Sequence, residues 1–176
     1  VVVPVTIAII FLLLFLNFRS VPESLMVMLS VPFAMIGGVW FLWLAGYNTS
    51  VAVWVGFIAL AGVAAETGVV MLLYLDQASR ERSERGEMKS ESDLVAAVRE
   101  GALGRLRPKV MTVATIILGL MPILWGHGTG SEVMKRIAAP MVGGMVTSTL
   151  LTLVVIPAIY LLWKRKMLPS REVLNQ

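Results

Sequence analysis

The sequence predicts an all-α protein, a polytopic membrane helix bundle, and three observations support this prediction. First, 57% of the 176 residues are hydrophobic and only 15% are charged, whereas soluble domains have about 45–50% apolar and about 25% charged residues. Second, the apolar residues are collected into five long runs that together carry one charge. Third, these runs lack the alternation of membrane β-barrel strands, so helices are the form that satisfies their backbone amides in lipid.

The same composition excludes several other classes of protein. A chain this apolar is not intrinsically disordered, and without cysteine it has no disulfide scaffold, cysteine-ligated zinc site or iron–sulfur cluster. The spans contain no second acid, no His-Glu-x-x-His pair and no Ser/His arrangement, so an intramembrane hydrolase is not predicted. We therefore expect a membrane protein that is not an enzyme and has no bound cofactor.

Five spans are predicted, and their lengths fit a hydrocarbon core of about 30 Å. They cover residues 1–18, 24–47, 51–75, 110–126 and 137–163. The links at residues 19–23 and 48–50 are very short, so the first three spans are expected to form two tight antiparallel hairpins. Residues 164–176 are predicted to form a tail after the last span.

The basic residues predict how the chain is oriented in the membrane. Thirteen of the fifteen Lys and Arg residues lie on one side of the predicted spans, and Lys135 and Arg136 lie on the other. Cytoplasmic loops collect Lys and Arg, so we expect a periplasmic N-terminus and a cytoplasmic C-terminus. The pI of about 9.8 then reflects orientation and does not indicate a nucleic-acid partner. An external N-terminus without a leader predicts the C-terminal piece of a longer protein, and a small intact five-span protein is the alternative.

The cytoplasmic segment, residues 76–109, divides into two parts. Residues 77–87 are almost wholly polar and are expected to be mobile. Residues 90–93 match a capping box, and apolar residues recur on one helical face after it, at Leu94, Val95, Val98 and Ala102. This pattern predicts a short amphipathic helix on the inner membrane surface. The segment has eight basic and seven acidic residues, which favours a solvated connector over a polybasic lipid anchor.

Glu66 is the most informative single residue, because it is the one charge well inside a predicted span. A carboxyl at that depth is costly and usually functional. Its small neighbours suit close helix packing around a buried group; they are Ala61, Gly62, Ala64, Ala65 and Gly68. A carboxyl balanced between desolvation and a nearby cation can take up and release protons. The alternative is a structural carboxyl that hydrogen-bonds across helices.

Lys109 is the candidate partner of Glu66, because it opens the fourth span directly after Arg105-Leu106-Arg107-Pro108. Alternatively, Lys109 is one more positive-inside residue whose amino group reaches the membrane interface. Thr112 lies one turn further into the span and is a further candidate for a hydrogen-bonded proton relay.

The eleven methionines offer soft sulfur ligands of the kind that suits Cu(I). Most of them are expected to be packing residues, as is common for methionine. Met141 and Met145 share a helical face, and Met134 lies just outside the last span. His127 lies in a glycine-rich outer loop and is expected to be a surface residue.

Three stretches of the sequence resemble the heavy-metal branch of the resistance-nodulation-division (RND) efflux pumps. They are residues 56–71, which contain Ala64-Ala65-Glu66, residues 105–112, which contain Arg-x-Arg-Pro, and residues 130–141, which contain Gly-Ser-Glu-Val-Met. The Arg-x-Arg-Pro segment is shared across the superfamily, whereas the Gly-Ser-Glu-Val-Met run is more specific to metal pumps. The Ala-Ala-Glu context is similar to the copper/silver type rather than the cobalt–zinc–cadmium type.

The resemblance implies the C-terminal membrane part of a proton-driven Cu(I)/Ag(I) efflux pump of the bacterial inner membrane. Such pumps are homotrimers that exchange protons for metal and join a periplasmic adaptor protein and an outer-membrane channel. The five spans are similar to the eighth to twelfth spans of the pump. By this resemblance Glu66 and Lys109 take part in a proton relay with an aspartate of the absent fourth span. Met134 belongs to the methionine path for the metal.

Two rival functions stay open on the sequence. One is a drug or divalent-cation exporter of the same superfamily, which competitive transport of Ag(I) against Zn(II) would distinguish. The other is a non-transporting five-span scaffold subunit, which the reading frame upstream of Val1 would distinguish.

Overall fold

A computed structural model describes residues 2–86 and 91–167, and all regular secondary structure in these two ranges is helical. The elements are α1 (Val2–Phe18), α2 (Val21–Leu44), α3 (Val51–Glu84), α4 (Glu91–Trp125), α5 (Ser131–Leu150), a π-helix (Leu151–Val155) and α6 (Ile156–Met167). The predicted all-α fold is therefore confirmed for the described residues. Most of the tail, residues 168–176, lies outside them.

Four helical segments of the described chain are long and apolar enough to cross a membrane. They are Val21–Leu44, Val51–Glu84, Ser92–Trp125 and Ser131–Arg165. The last of these combines α5, the π-helix and α6. The first predicted span corresponds to α1, which is apolar but has only 17 residues. The structure thus supports the second to fifth predicted spans. The first predicted span, α1, is an apolar helix shorter than the other four.

The segment between the third and fourth predicted spans was wrongly predicted. α3 continues to Glu84, so most of the stretch that was expected to be mobile is helical. α4 runs unbroken from Glu91 to Trp125, so there is no separate amphipathic helix. The apolar face itself exists, because Leu94 and Val98 are buried in the core. That face packs in the helix bundle instead of lying on the membrane, and the capping-box residue Ser90 lies outside the described residues.

The helices pack most closely where α2 crosses α5, the pair with the most extensive contact. A Cβ atom on Gly143 would collide with the Cβ atom of Phe41 and the carbonyl oxygen of Gly37. A Cβ atom on Gly144 would lie 2.8 Å from the carbonyl oxygen of Ala34. Such small residues let helix backbones approach closely in a membrane protein. The two glycines therefore determine how near α5 lies to α2.

The two ends of the bundle differ in composition. One end, which we call the basic end, carries Arg19 and Lys164 near helix termini, and Arg105 of α4 over the ring of Tyr74. The opposite end, which we call the tryptophan end, carries four exposed tryptophans, Trp40, Trp43, Trp54 and Trp125. Tryptophan is enriched at membrane–water interfaces, so these residues indicate where the bundle meets one membrane surface.

Polar contacts hold α6 against α3 at the basic end. The buried hydroxyl of Tyr160 lies 3.3 Å from Oγ of Ser79 and 3.5 Å from Oδ1 of Asp76. The same carboxylate oxygen lies 3.8 Å from Nζ of Lys164. The other carboxylate oxygen of Asp76, Oδ2, lies 2.8 Å from Nε of Arg80. Asp76 therefore joins two helices through three partners on its two oxygens.

Candidate functional site

Lys109 is buried in α4, with 6% of its surface exposed. In the part of the chain that the structure describes, its Nζ atom has no hydrogen-bond partner. Its charge is within electrostatic range of Glu66 on α3 and of Arg105, one turn earlier on α4. Burial disfavours the alternative in which the amino group reaches the interface. An unpaired buried ammonium is costly, so this position calls for a negative partner.

Glu66 is exposed in this chain, which contradicts the expectation of a carboxyl surrounded by packed helices. The small residues around it lie on different faces of α3. Ala64 is fully buried, and Gly68 packs near Ser30 of α2. Gly62, one turn before Glu66, has nothing within 4 Å of a Cβ built on it. The side of α3 that carries Glu66 is therefore left uncovered by the described helices.

Thr112 is also exposed, and its hydroxyl donates to the carbonyl oxygen of Pro108 at 3.0 Å. The structure therefore does not join Thr112 directly to Glu66 or Lys109. Thr115 and Gly119, further along α4, are exposed as well. Only 6% of the most apolar window of this helix is buried, against 39% in each of the other three candidate spans. Threonine and glycine on an uncovered face are typical of a surface where another membrane helix packs.

Met134 lies in the first turn of α5 at the tryptophan end, and 53% of its surface is exposed. α4 rises about 24 Å between Lys109 and its end at Trp125, which lies at the tryptophan end, at about 1.5 Å per residue. Met134 is therefore far from the other candidate residues. Met145 is fully buried and Met141 partly so, which makes their shared face part of the packing. His127 is exposed, as expected. No group of three or more His, Asp or Glu residues in residues 2–86 and 91–167 is arranged to hold a metal ion.

Glu66 and Lys109 thus lie within electrostatic range of each other. Thr112 lies one turn from Lys109 and bonds to Pro108 instead, and Met134 lies apart from all three. The polar cluster of the basic end, which includes Asp76 and Tyr160, is not predicted by the sequence pattern. A signal was present, because Asp76 directly follows a predicted span and Glu23 directly precedes one at the same end. Which of these residues meet depends on the packing of three helices, which the sequence pattern does not contain.

The chain is similar in sequence to several proteins that are named for cation efflux or metal resistance. A family model described as the AcrB/AcrD/AcrF family matches residues 1–164. The cation efflux system protein SilA of Salmonella typhimurium is 58% identical over 167 residues, which are 93% of this chain and 16% of SilA. The cation efflux system protein CusA of Escherichia coli (strain K12) is 58% identical over 92% of this chain and 16% of CusA. The cobalt-zinc-cadmium resistance protein CzcA of Cupriavidus metallidurans is 45% identical over 94% of this chain and 15% of CzcA.

Two crystal structures of a heavy metal efflux pump have a similar fold. Crystal form II has a TM-score of 0.78 and 36% identity, and the match covers 93% of this chain and 16% of the pump. Crystal form I has a TM-score of 0.77 and 38% identity over 92% of this chain and 15% of the pump. The chain therefore spans about one sixth of the length of the curated relatives it matches.

Proposed function

The chain belongs to the AcrB/AcrD/AcrF family of RND transporters, and from this membership we propose that it is the C-terminal membrane part of a longer pump that exports Cu(I) and Ag(I) in exchange for protons. The resemblance to the heavy-metal branch is confirmed by the similarity to SilA, CusA and CzcA. The function of this chain is then that of a secondary transporter, in which conformational change couples two ion fluxes.

The choice of metal rests on two observations. Identity to the two cation efflux system proteins is 58%, whereas identity to the cobalt-zinc-cadmium resistance protein is 45%. The chain also contains no cysteine and eleven methionines, and thioether sulfur suits soft ions such as Cu(I) better than hard divalent ions. Met134, exposed at the start of α5, is the residue that we assign to the metal path.

The observation that carries the proton-coupling proposal is the buried, unpaired amino group of Lys109 beside Glu66. Both residues lie next to uncovered parts of α3 and α4, so an acidic residue outside this chain has room to approach them. Protonation of a carboxyl in such a group weakens its attraction to Lys109 and shifts the population of helix arrangements. Thr112 lies one turn from Lys109 and is assigned to the same relay.

The remaining parts of the proposal concern the assembly. We place the chain in the bacterial inner membrane with its basic end in the cytoplasm, because Lys and Arg collect on that side. The pump is proposed to be a homotrimer that joins a periplasmic adaptor protein and an outer-membrane channel. Membrane lipids would cover the outward faces of the helices.

Competitive transport tests the choice of metal. In proteoliposomes that contain the full pump, we expect a tenfold excess of Zn(II) to leave Ag(I) transport almost unchanged, because thioether sulfur binds soft ions in strong preference to harder divalent ions. Cu(I) at the same excess should suppress Ag(I) transport. Suppression by Zn(II) equal to that by Cu(I) would instead favour a divalent-cation exporter.

Replacing Met134 by Ile should reduce Cu(I) and Ag(I) export several-fold while proton coupling per transported ion is retained. The substitution removes one sulfur ligand at similar volume, and Met134 lies far from Lys109. Export and proton flux are measured together in proteoliposomes. The control is Met111→Ile, which makes the same change at an exposed methionine of a different helix, α4. Equal export by the two variants would show that Met134 has no special role.

A further inference from the structure

A cavity of about 670 Å³ lies at the basic end of the bundle, where α1 and α2 meet α3. Four acidic residues line it, and Arg80 is the one base in its lining. The acids are Glu23, Asp76, Glu81 and Glu84. Cavities of this size accommodate small organic molecules, and the excess of carboxylates indicates that a ligand would carry positive charge.

Glu23 is the unusual member of this lining, because it is only 7% exposed. Arg80 and Lys164 are within electrostatic range of Glu23, but both form their ion pairs with Asp76. Within the described part of the chain, the Glu23 carboxylate has neither a hydrogen bond nor an ion pair, and it is not fully enclosed, so it opens onto the cavity. Its position in the first turn of α2 offsets part of the burial cost through the helix dipole. A buried carboxylate that faces a cavity in this way is satisfied best by a cation in that cavity.

The shape and position of the cavity indicate which kind of cation fits. Among the residues that the structure describes, these acids do not form a group that could hold a metal ion. The cavity is also much larger than a single ion. One wall is apolar and includes Phe18, Leu73 and Tyr74. The ring of Tyr74 lies 5.0 Å below the guanidinium carbon of Arg105, and aromatic and basic side chains of this kind are enriched at the lipid headgroup level.

We propose that this cavity binds the headgroup of a phospholipid with a primary ammonium group, phosphatidylethanolamine. The ammonium group donates hydrogen bonds to the Glu23 carboxylate. The phosphate accepts from Arg80, whose guanidinium uses one N–H for Asp76 and keeps other donors. Leu73 and Phe18 contact the glycerol and upper acyl region. The site is independent of the metal that the pump carries.

The test compares lipids that differ in the nitrogen of the headgroup. Full-length pump is purified in mild detergent, and retained lipid is measured by native mass spectrometry with phosphatidylethanolamine or phosphatidylcholine added. Choline has no N–H donor, so we expect a preference of about tenfold for phosphatidylethanolamine, the size of a hydrogen bond to a charged group. Glu23→Gln should abolish this preference. Glu132→Gln, an exposed acid in the first turn of α5, is the matched control and should keep it.

A second variant keeps the test decisive where Glu23→Gln fails to fold. Arg80 has an exposed side chain, so Arg80→Gln should fold normally and lower retention of phosphatidylethanolamine several-fold. Equal retention of the two lipids by the unmodified pump would overturn the proposal. A stronger preference for phosphatidylglycerol, or an unchanged preference in the folded Glu23 and Arg80 variants, would overturn it as well.

Discussion

Glu66→Gln in the full pump is expected to abolish resistance to silver and copper while the protein stays in the membrane at its normal level. Glutamine keeps the size of the side chain and, like a protonated carboxyl, both donates and accepts hydrogen bonds, but it cannot ionise. The attraction between Glu66 and the buried Lys109 is then lost, and the carboxyl no longer alternates between two charge states. Resistance is measured as the lowest inhibitory silver concentration in a strain without its own pump, beside the membrane level of each variant.

A matched control separates loss of the relay from general damage. Glu100→Gln removes an acid with a 61% exposed side chain in the early part of α4, more than two turns before Lys109, and should leave resistance near the unmodified level. Lys109→Met should cause the same loss as Glu66→Gln, because both variants remove one member of the pair. Normal resistance in the Glu66 variant would eliminate its role in proton transfer. A fall in membrane level in parallel with resistance would assign Glu66 a structural role.

Gly143→Ala is expected to destabilise the bundle by about 1–3 kcal/mol, the range for overpacking a close contact. The added methyl group would meet the Cβ atom of Phe41 and the carbonyl oxygen of Gly37. Neither atom sits at the end of a flexible side chain, so α5 must move away from α2. Thermal unfolding of the purified pump in detergent, followed by loss of its main peak in gel filtration, measures the effect.

The control for this prediction is Gly104→Ala, also within a helix. Nothing lies within 4 Å of a Cβ atom built on Gly104, and alanine is a better helix former by about 1 kcal/mol. The unfolding temperature of this variant should be unchanged or slightly higher. If the two alanine variants unfold at the same temperature, the close contact of α2 and α5 contributes nothing to stability.

In the segment that follows the third predicted span, the sequence pattern does not predict the secondary structure correctly. Residues 77–84 are polar and lack an apolar face, so local propensity did not predict their helix. They are helical because α3 continues into a packed pair with α4, where Arg82 and Glu100 form an ion pair at 2.9 Å. The sequence predicts the amphipathic face of Leu94 and Val98 correctly, but it packs in the helical core and not on the membrane.

The sequence by itself determined that this chain is an all-helical membrane protein with a basic end, and it singled out Glu66 and Lys109. Apolar runs and charge counts carry that information, because transfer of side chains into lipid depends on composition over a single segment. Only the tertiary structure decided that Lys109 is buried without a partner, that Glu66 is uncovered, and that Glu23 faces an acidic cavity. These properties depend on how helices distant in the sequence pack together, and the distances between their side chains follow from that packing.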